Sequence, residues 1–121
     1  MIEVLPVRDA ARLEALYQTA GLIPGEAGNA VEAAADGTSL GFCLFDLAGD
    51  TVTVRYLAPA EDPLLADGIL RSALHVGVLA GMTEARYTET APETLLRRLG
   101  FLTETPGELK IGKLFESCCG K

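Results

Sequence analysis

The chain is poor in the residues that build metal and redox sites. It has one histidine, His75, and three cysteines, Cys43, Cys118 and Cys119, with no Cys-x-x-Cys spacing. A structural zinc site needs four such ligands at set spacings, and a disulfide between adjacent cysteines is strained. The sequence therefore predicts free thiols in a reducing cytoplasm and no metal. A thiol or metal role for Cys118 and Cys119 stays open as the alternative.

Basic residues and long apolar runs are also scarce. Ten lysines and arginines stand against 17 acidic residues, which gives a formal net charge of −7. A surface of that sign repels nucleic acid and anionic lipid. No apolar run approaches the ~20 residues needed to span a bilayer, and no secretory signal begins the chain. We therefore expect a cytoplasmic protein that binds neither nucleic acid nor membrane.

What the chain does contain suits one packed core. Hydrophobic residues make up 49% of its 121 residues, and no linker or repeat divides it. A chain of this length has room for one domain, so we expect residues 1–121 to form a single domain. The apolar content also permits a homodimer.

Capping residues and periodicity predict alternating strands and helices. In the first half they predict a strand at Ile2–Val7, a helix from Asp9 to Ala20, and a loop at Leu22–Gly28. Asn29–Glu32 resembles a capping box, which predicts a short helix closed by Gly37.

The next two segments predict an antiparallel hairpin. Ser39–Leu47 is apolar on both faces, as expected for a covered strand. Thr51–Leu57 alternates, which predicts that Val52, Val54 and Tyr56 share one side.

The second half is predicted to begin with the longest helix, Pro63–Ala80. Asp62 and Pro63 are a strong cap and first-turn pair, although a later start capped by Asp67 stays open. The remaining predictions are a strand at Glu84–Thr88, a helix over 90–99, and strands at Phe101–Thr103 and Leu109–Ile111.

This element order is similar to that of the GCN5-related N-acetyltransferases (GNAT). Two segments add to the resemblance. Leu65–Leu74 resembles the family pattern Gln/Arg-x-x-Gly-x-Gly/Ala at the start of the main helix. Leu95–Phe101 resembles a family helix that ends in Leu-Tyr-x-x-x-Gly-Phe. The resemblance implies an α/β (α+β) class and a GNAT-like acyl-CoA N-acyltransferase fold, a central mixed twisted sheet flanked by helices.

The resemblance also implies acetyl-CoA as cosubstrate. The pyrophosphate would lie on the backbone of Gly68, Ile69 and Leu70, since amides at a helix start bind anions. The pantetheine arm would pair with the end of the preceding strand at Leu57 and Ala58. Glu89 is the candidate catalytic base.

Several positions depart from the family pattern. Leucine replaces the leading Gln/Arg, the final Gly/Ala and the tyrosine that protonates the leaving thiolate; these positions are Leu65, Leu70 and Leu96. Three carboxylates, Glu61, Asp62 and Asp67, lie where an anion would bind.

We therefore expect weak or absent coenzyme A binding, and two functions stay open. One is a divergent acetyl-CoA-dependent N-acetyltransferase. The other is a non-catalytic GNAT-like domain that binds a protein partner or another small ligand.

Overall fold

One six-stranded sheet organises the protein. The computed structural model describes residues 2–23, 28–59, 61–88 and 108–110. In these residues the strands lie in chain order across the sheet: β1 (Glu3–Pro6), β2 (Gly28–Ala35), β3 (Thr38–Ala48), β4 (Thr51–Ala58), β5 (Glu84–Tyr87) and β6 (Glu108–Lys110). Neighbours are antiparallel except β4 and β5, which run parallel. The sheet is mixed, as predicted.

Two helices of the described residues, α1 (Ala10–Thr19) and α2 (Pro63–Leu79), cover its faces. Asp9 caps α1 as predicted, because its Oδ1 accepts a hydrogen bond from the Ala11 amide at 3.0 Å. Gly21 ends the helix at φ +74°, and the Leu22 amide then donates to the Tyr17 carbonyl at 2.9 Å. This is the pattern of a glycine-terminated helix. Neither described helix is long and apolar enough to cross a membrane.

The predicted helix at Asn29 is wrong, because Gly28–Ala35 is strand β2. A capping box contributes only about 1 kcal/mol and acts locally. β2 pairs along both edges, with β1 and with β3, and it buries Val31 completely. Asp36 and Gly37 have φ of 50° and 79° and turn the chain into β3. An Asp-Gly pair between apolar segments is a strong hairpin signal, and it outweighs the capping box here.

The two sheet faces carry separate hydrophobic cores. The larger lies under α2 and the smaller under α1. The larger consists of Val31, Ala33, Cys43, Phe45, Val52, Val54, Leu57, Ala66, Ile69, Leu70, Ala73, Leu74 and Ala85. The smaller consists of Leu16, Tyr17, Ala30, Phe42 and Leu44.

The predicted alternation of β4 is wrong beyond Val54. Phe45 pairs with Val54 and Leu44 pairs with Tyr56, so Arg55 is an extra residue in β4. Such a bulge reverses the side-chain alternation after it. Tyr56 therefore packs on the α1 core, its ring 5.4 Å from that of Phe42, rather than with Val54 on the α2 core.

Most other predicted boundaries agree with the structure to within two residues. The hairpin of β3 and β4 and the strand β5 are confirmed, and the last predicted strand is observed at Glu108–Lys110. The predicted helix over 90–99 and the strand Phe101–Thr103 lie outside the described residues.

An ion pair joins α1 to β2. The Arg12 Nε donates to Glu32 Oε1 at 3.1 Å, and the Arg12 Nη2 donates to Glu32 Oε2. The Arg12 hydrogen bonds lower the pKa of Glu32, with smaller support from Ser39, and burial opposes the shift. The carboxylate therefore ionises more readily in the folded chain than in the unfolded one.

Replacing Arg12 by methionine is expected to remove a pH-dependent share of stability. Because the pKa of Glu32 is lowered by folding, this share is present above the unfolded pKa of about 4.3 and is lost as the pH falls through the folded pKa. Half-exposed pairs contribute about 1 kcal/mol or less. Urea unfolding of both proteins at neutral pH and near pH 3 measures it. An equal loss at both pH values would contradict the prediction, and Arg8→Met serves as the control.

Candidate functional site

The candidate site is the point where the described pairing of β4 and β5 ends. Their parallel pairing starts at Thr51 with Glu84 and ends at Val54 with Tyr87. One more bond follows, from the Thr88 amide to the Val54 carbonyl at 3.0 Å. β4 then continues to Ala58, and no strand in the described part of the chain pairs with it there on the β5 side. Among residues 2–23, 28–59, 61–88 and 108–110, the sheet thus opens between these two parallel strands beyond Val54.

The bulge at Arg55 lies where the opening begins. A bulge bends its strand and increases the local twist. On the other side of β4, Gly41 of β3 allows a close approach of the chain end of this strand, because a Cβ there would overlap the Ala58 carbonyl oxygen and the Pro59 Cδ. The two predicted cofactor residues on this strand differ in burial. Leu57 packs in the larger core, and Ala58 is partly exposed at the strand end.

The helix α2 begins at Pro63, which confirms the earlier of the two predicted starts. Asp62 caps it, and its Oδ1 accepts a hydrogen bond from the Leu65 amide at 3.2 Å. The Ala66 amide donates to the Asp62 carbonyl at 3.0 Å. Gly68 lies one turn further along, inside the helix, where amides bond to carbonyls four residues earlier. The amides of residues 68–70 therefore donate to carbonyls within α2 and are not available to a ligand.

The side chains at the predicted phosphate-binding positions do not form a ligand site. Ile69 and Leu70 are fully buried in the larger core, and Leu65 packs against that core. Gly68 is exposed, with open space where a Cβ would stand. The structure thus places Leu57, Ile69 and Leu70 in one core and leaves Gly68 alone on the surface.

The charge at the start of α2 is negative. The sequence from Leu57 to Gly68 contains Glu61, Asp62 and Asp67 but no lysine or arginine. Asp67 accepts hydrogen bonds from the Arg71 Nε at 3.0 and 3.1 Å, so this carboxylate is paired within the helix. Two carboxylates, those of Glu61 and Asp62, remain exposed at the helix start. The repulsion of an anion is therefore weaker than three carboxylates would produce.

A polar group that sequence patterns missed lies on the α1 side of the opening. Arg55 stands over the Tyr17 ring, 5.8 Å from its centroid, and its Nη1 donates to the Ile23 carbonyl at 3.1 Å. The Tyr17 hydroxyl is 3.5 Å from the Asn29 carbonyl oxygen that accepts its hydrogen bond. The Asp46 Oδ1 is buried and has no hydrogen-bond partner. Helical spacing assigns Tyr17 to the core, and only the bulge reveals where Arg55 points.

The environment keeps Tyr17 protonated. Burial is the largest cause that raises its pKa, and the Asp46 carboxylate adds to the shift, whereas Arg55 and the bond to Asn29 oppose it. A phenol with a raised pKa holds its proton at neutral pH, so it can donate or accept a hydrogen bond but does not act as a general base. Tyr17 is therefore a buried, protonated phenol on the α1 side.

The remaining candidate residues are either inert or outside the described residues. Cys43 is a fully buried free thiol, and burial raises its pKa well above the ordinary value, so it is not a nucleophile. Glu89 and Leu96, together with Cys118 and Cys119, lie outside the described residues. Within the described ranges, no group of three or more His, Cys, Asp or Glu side chains could hold a metal ion.

Comparisons with known proteins bear on the fold alone. No protein-family model and no curated protein matches the chain. Among solved structures, a Desulfovibrio desulfuricans protein assigned to the GNAT family of acetyltransferases matches with a TM-score of 0.62 at 12% identity, over 92% of this chain and 99% of its own. The chain has the GNAT fold.

Two further structures with the GNAT fold extend the comparison. A ribosomal-protein-alanine N-acetyltransferase from Brucella melitensis biovar Abortus 2308 matches with a TM-score of 0.57 at 14% identity, over 88% of this chain and 92% of its own. YhhK of E. coli, assigned as an N-acetyltransferase and solved with coenzyme A bound, matches with a TM-score of 0.55 at 16% identity. The match covers 91% of this chain and 98% of YhhK. The shared GNAT fold does not itself carry an activity.

Proposed function

We propose that the protein is a divergent acetyl-CoA-dependent N-acetyltransferase that binds its cosubstrate weakly. One observation carries the proposal: the parallel pairing of β4 and β5 ends at Val54, and among the described residues no strand lies beside the end of β4 on the β5 side. An open strand end can pair with the amide groups of an extended ligand such as pantetheine. The GNAT fold, which YhhK shares with coenzyme A bound, supports this choice of ligand.

The end of β4 fits the pantetheine arm, and the start of α2 fits the phosphates poorly. Along Tyr56–Ala58, the backbone groups that point away from β3 lie on the β5 side of β4. At the helix start the Asp62 carboxylate already holds the Leu65 amide, and the exposed Glu61 adds a second negative charge. A pyrophosphate placed here would be repelled by both, by about 1 kcal/mol per charge pair at 4 Å in water. We therefore expect acetyl-CoA to bind weakly, because its pantetheine arm is accommodated while its phosphates are repelled.

The bound thioester would supply an activated acetyl group. The acceptor is an amine, whose nitrogen would bond to the acetyl carbon as the carbon–sulfur bond breaks, with one proton leaving the nitrogen and one reaching the departing thiolate. Two phenols, those of Tyr17 and Tyr56, lie on the α1 side of the sheet. The Tyr17 hydroxyl is buried and hydrogen-bonded to the Asn29 carbonyl, so we assign Tyr17 to support of the α1 side rather than to direct proton transfer.

The second candidate function is a non-catalytic GNAT-like domain that binds a protein partner or another small ligand. The capping bond from Leu65 to Asp62 favours it, because that bond occupies a first-turn amide that a phosphate would need. In that case the opening beside β4 would take a neutral extended ligand or a strand of another chain.

Titration with acetyl-CoA and with pantetheine separates the two functions. We expect wild-type protein to bind acetyl-CoA in the millimolar range. The double variant Glu61→Gln, Asp62→Asn is expected to bind it several-fold more tightly, since two repulsions are removed and asparagine still caps a helix. Pantetheine, which has no phosphate, should bind both proteins equally. Calorimetry or thermal stabilisation measures each affinity. If neither protein is stabilised by millimolar acetyl-CoA, the acetyltransferase proposal fails and the non-catalytic domain is favoured.

A further inference from the structure

The outward face of α2 exposes apolar side chains at both of its ends. Leu64 in the first turn is 88% exposed, and in the last turn Leu79 is 75% and Val78 is 43% exposed. These are three of the six large apolar side chains that the described residues expose; the others lie outside the helix, at Ile2, Leu5 and Ile23. The inward face of α2 packs in the larger core, so the apolar ends of the outward face have no role in that core.

The residues along this face have the spacing of a contact between two helices. Five of them are separated in turn by four, three, four and three positions: Leu64, Gly68, Arg71, His75 and Val78. Alternate spacings of three and four residues form the seam along which two helices pack. Gly68 is exposed, and a Cβ there would meet nothing within 4 Å, so a second helix has room to approach closely at this point.

The seam is complementary to itself when two copies of α2 run antiparallel. Leu64 and Val78 are each seven residues from Arg71, so a two-fold axis at Arg71 sets each Leu64 beside the partner's Val78. Gly68 and His75 are three and four residues from the same point, which would place each imidazole ring over the partner's Gly68. In a two-fold dimer the same patch is used on both subunits. Every exposed apolar side chain at one end of α2 thus meets an apolar side chain of the other copy.

Charge favours the antiparallel orientation over the parallel one. Glu61 and Asp62 are exposed just before α2, and parallel helices would bring these four carboxylates together. Antiparallel helices separate the two acidic ends by ~25 Å, the length of a 17-residue helix. At the centre of the seam Arg71 is paired with Asp67 of its own helix, so the two copies meet there as neutral ion pairs.

The edge strand β1 is a poorer surface for a second copy. The Val7 amide donates to the Ala30 carbonyl of β2, so in the alternating antiparallel pattern the backbone groups of Val4 and Pro6 point away from the sheet. Proline has no amide hydrogen, and β1 is only four residues long. A strand added here would lack a hydrogen bond from Pro6, which is how edge strands resist such pairing.

We propose that the outward face of α2 is the interface of a weak, two-fold-symmetric dimer of this chain, with the two α2 helices antiparallel. One pair of helices of this length lies at or below the roughly 1,200 Å² of a stable interface, so we expect a dissociation constant of about 0.1 mM. At a few micromolar the chain is then a monomer, and the stability of the single chain is measured there. The dimer does not depend on the proposed acetyltransferase activity.

Sedimentation over a concentration series tests the dimer in the intact wild-type protein. We expect mostly monomer at about 10 µM and mostly dimer at about 1 mM. Leu64→Glu should weaken association by about tenfold or more, because an unpaired carboxylate is buried at each end of the seam. Ile23→Glu makes the same charge change at a residue that is 83% exposed outside α2, and it should leave association unchanged.

A mixture of two variants tests the orientation. Val78→Lys alone should also weaken association, since a lysine then lies against Leu64. In antiparallel helices, mixing Leu64→Glu with Val78→Lys brings opposite charges together at one end of the seam and leaves the other end as in the wild type. We therefore expect the mixture to associate several-fold more tightly than either variant alone. In parallel helices the two substituted positions do not meet, and mixing has no effect.

Three results would overturn the proposal. They are a wild-type protein that stays monomeric at 1 mM, which would leave this face of α2 to a different protein, an Ile23→Glu variant that dissociates as readily as Leu64→Glu, and a mixture that associates no better than its components. Amide resonances of the wild type, followed on dilution, give a readout that needs no variant. The shifts should fall on the outward face of α2, and shifts confined to β1 would contradict the proposal.

Discussion

Replacing Leu70 by alanine is expected to lower the free energy of unfolding by about 3 kcal/mol or more. Leu70 is fully buried in the core under α2. Truncation of a buried leucine removes its transfer free energy and leaves a cavity that surrounding groups fill only in part. Alanine is also a residue that the family pattern places at this position, so the same variant tests whether a smaller side chain here restores a ligand site.

We expect the Leu70→Ala protein to bind acetyl-CoA no more tightly than the wild type. The side chain faces the core, and its own amide lies inside α2, so its removal opens no surface to a phosphate. Denaturant unfolding gives the stability, and calorimetry at a temperature where the variant is folded gives the affinity. Leu64→Ala is the control, because Leu64 is 88% exposed in the same helix and should cost less than about 0.5 kcal/mol. Tighter cosubstrate binding with little loss of stability would show that Leu70 reaches the site.

The position of Leu70 shows what sequence could and could not predict about the site. The pair Asp62 and Pro63 predicts the helix start from local chemistry, and the structure confirms it. That start moves the region around Gly68 from a loop into a helix. A motif comparison aligns residues by type and cannot detect this change, whereas capping rules can. The family pattern alone would therefore assign Leu70 to a ligand site, whereas in the structure this residue lies inside α2 and faces the core.

The two errors in the fold have a common cause. Asn29–Glu32 satisfies a capping rule and Thr51–Leu57 satisfies a simple alternation, and both are local patterns. The structure replaces the first with a strand paired on both edges and interrupts the second at Arg55. Pairing with a distant strand decides both outcomes, and a single sequence carries little information about it. The bulge at Arg55 matters most, since it lies where the candidate site opens.

Alanine substitution at the two glycines of α2 is expected to change stability in opposite directions. Gly68 is exposed, and a Cβ there meets nothing within 4 Å. Gly68→Ala should raise the free energy of unfolding by about 0.5–1 kcal/mol, because glycine is a poor helix former. A Cβ at Gly77 would overlap the Val52 Cγ2. Gly77→Ala gains the same helix propensity but forces helix and sheet apart, a cost of about 1–3 kcal/mol.

The pair separates helix propensity from packing, since the same substitution is made twice in one helix and the propensity cancels in the difference. Urea unfolding of both variants should place Gly77→Ala about 1–3 kcal/mol below Gly68→Ala. Equal effects would mean that α2 does not lie against Val52 as described. The variants also address the site: if Gly68 once let a phosphate approach its amide, alanine would obstruct it. Because that amide is now committed within α2, Gly68→Ala should leave acetyl-CoA affinity unchanged. A loss of affinity would place the phosphates at Gly68 after all.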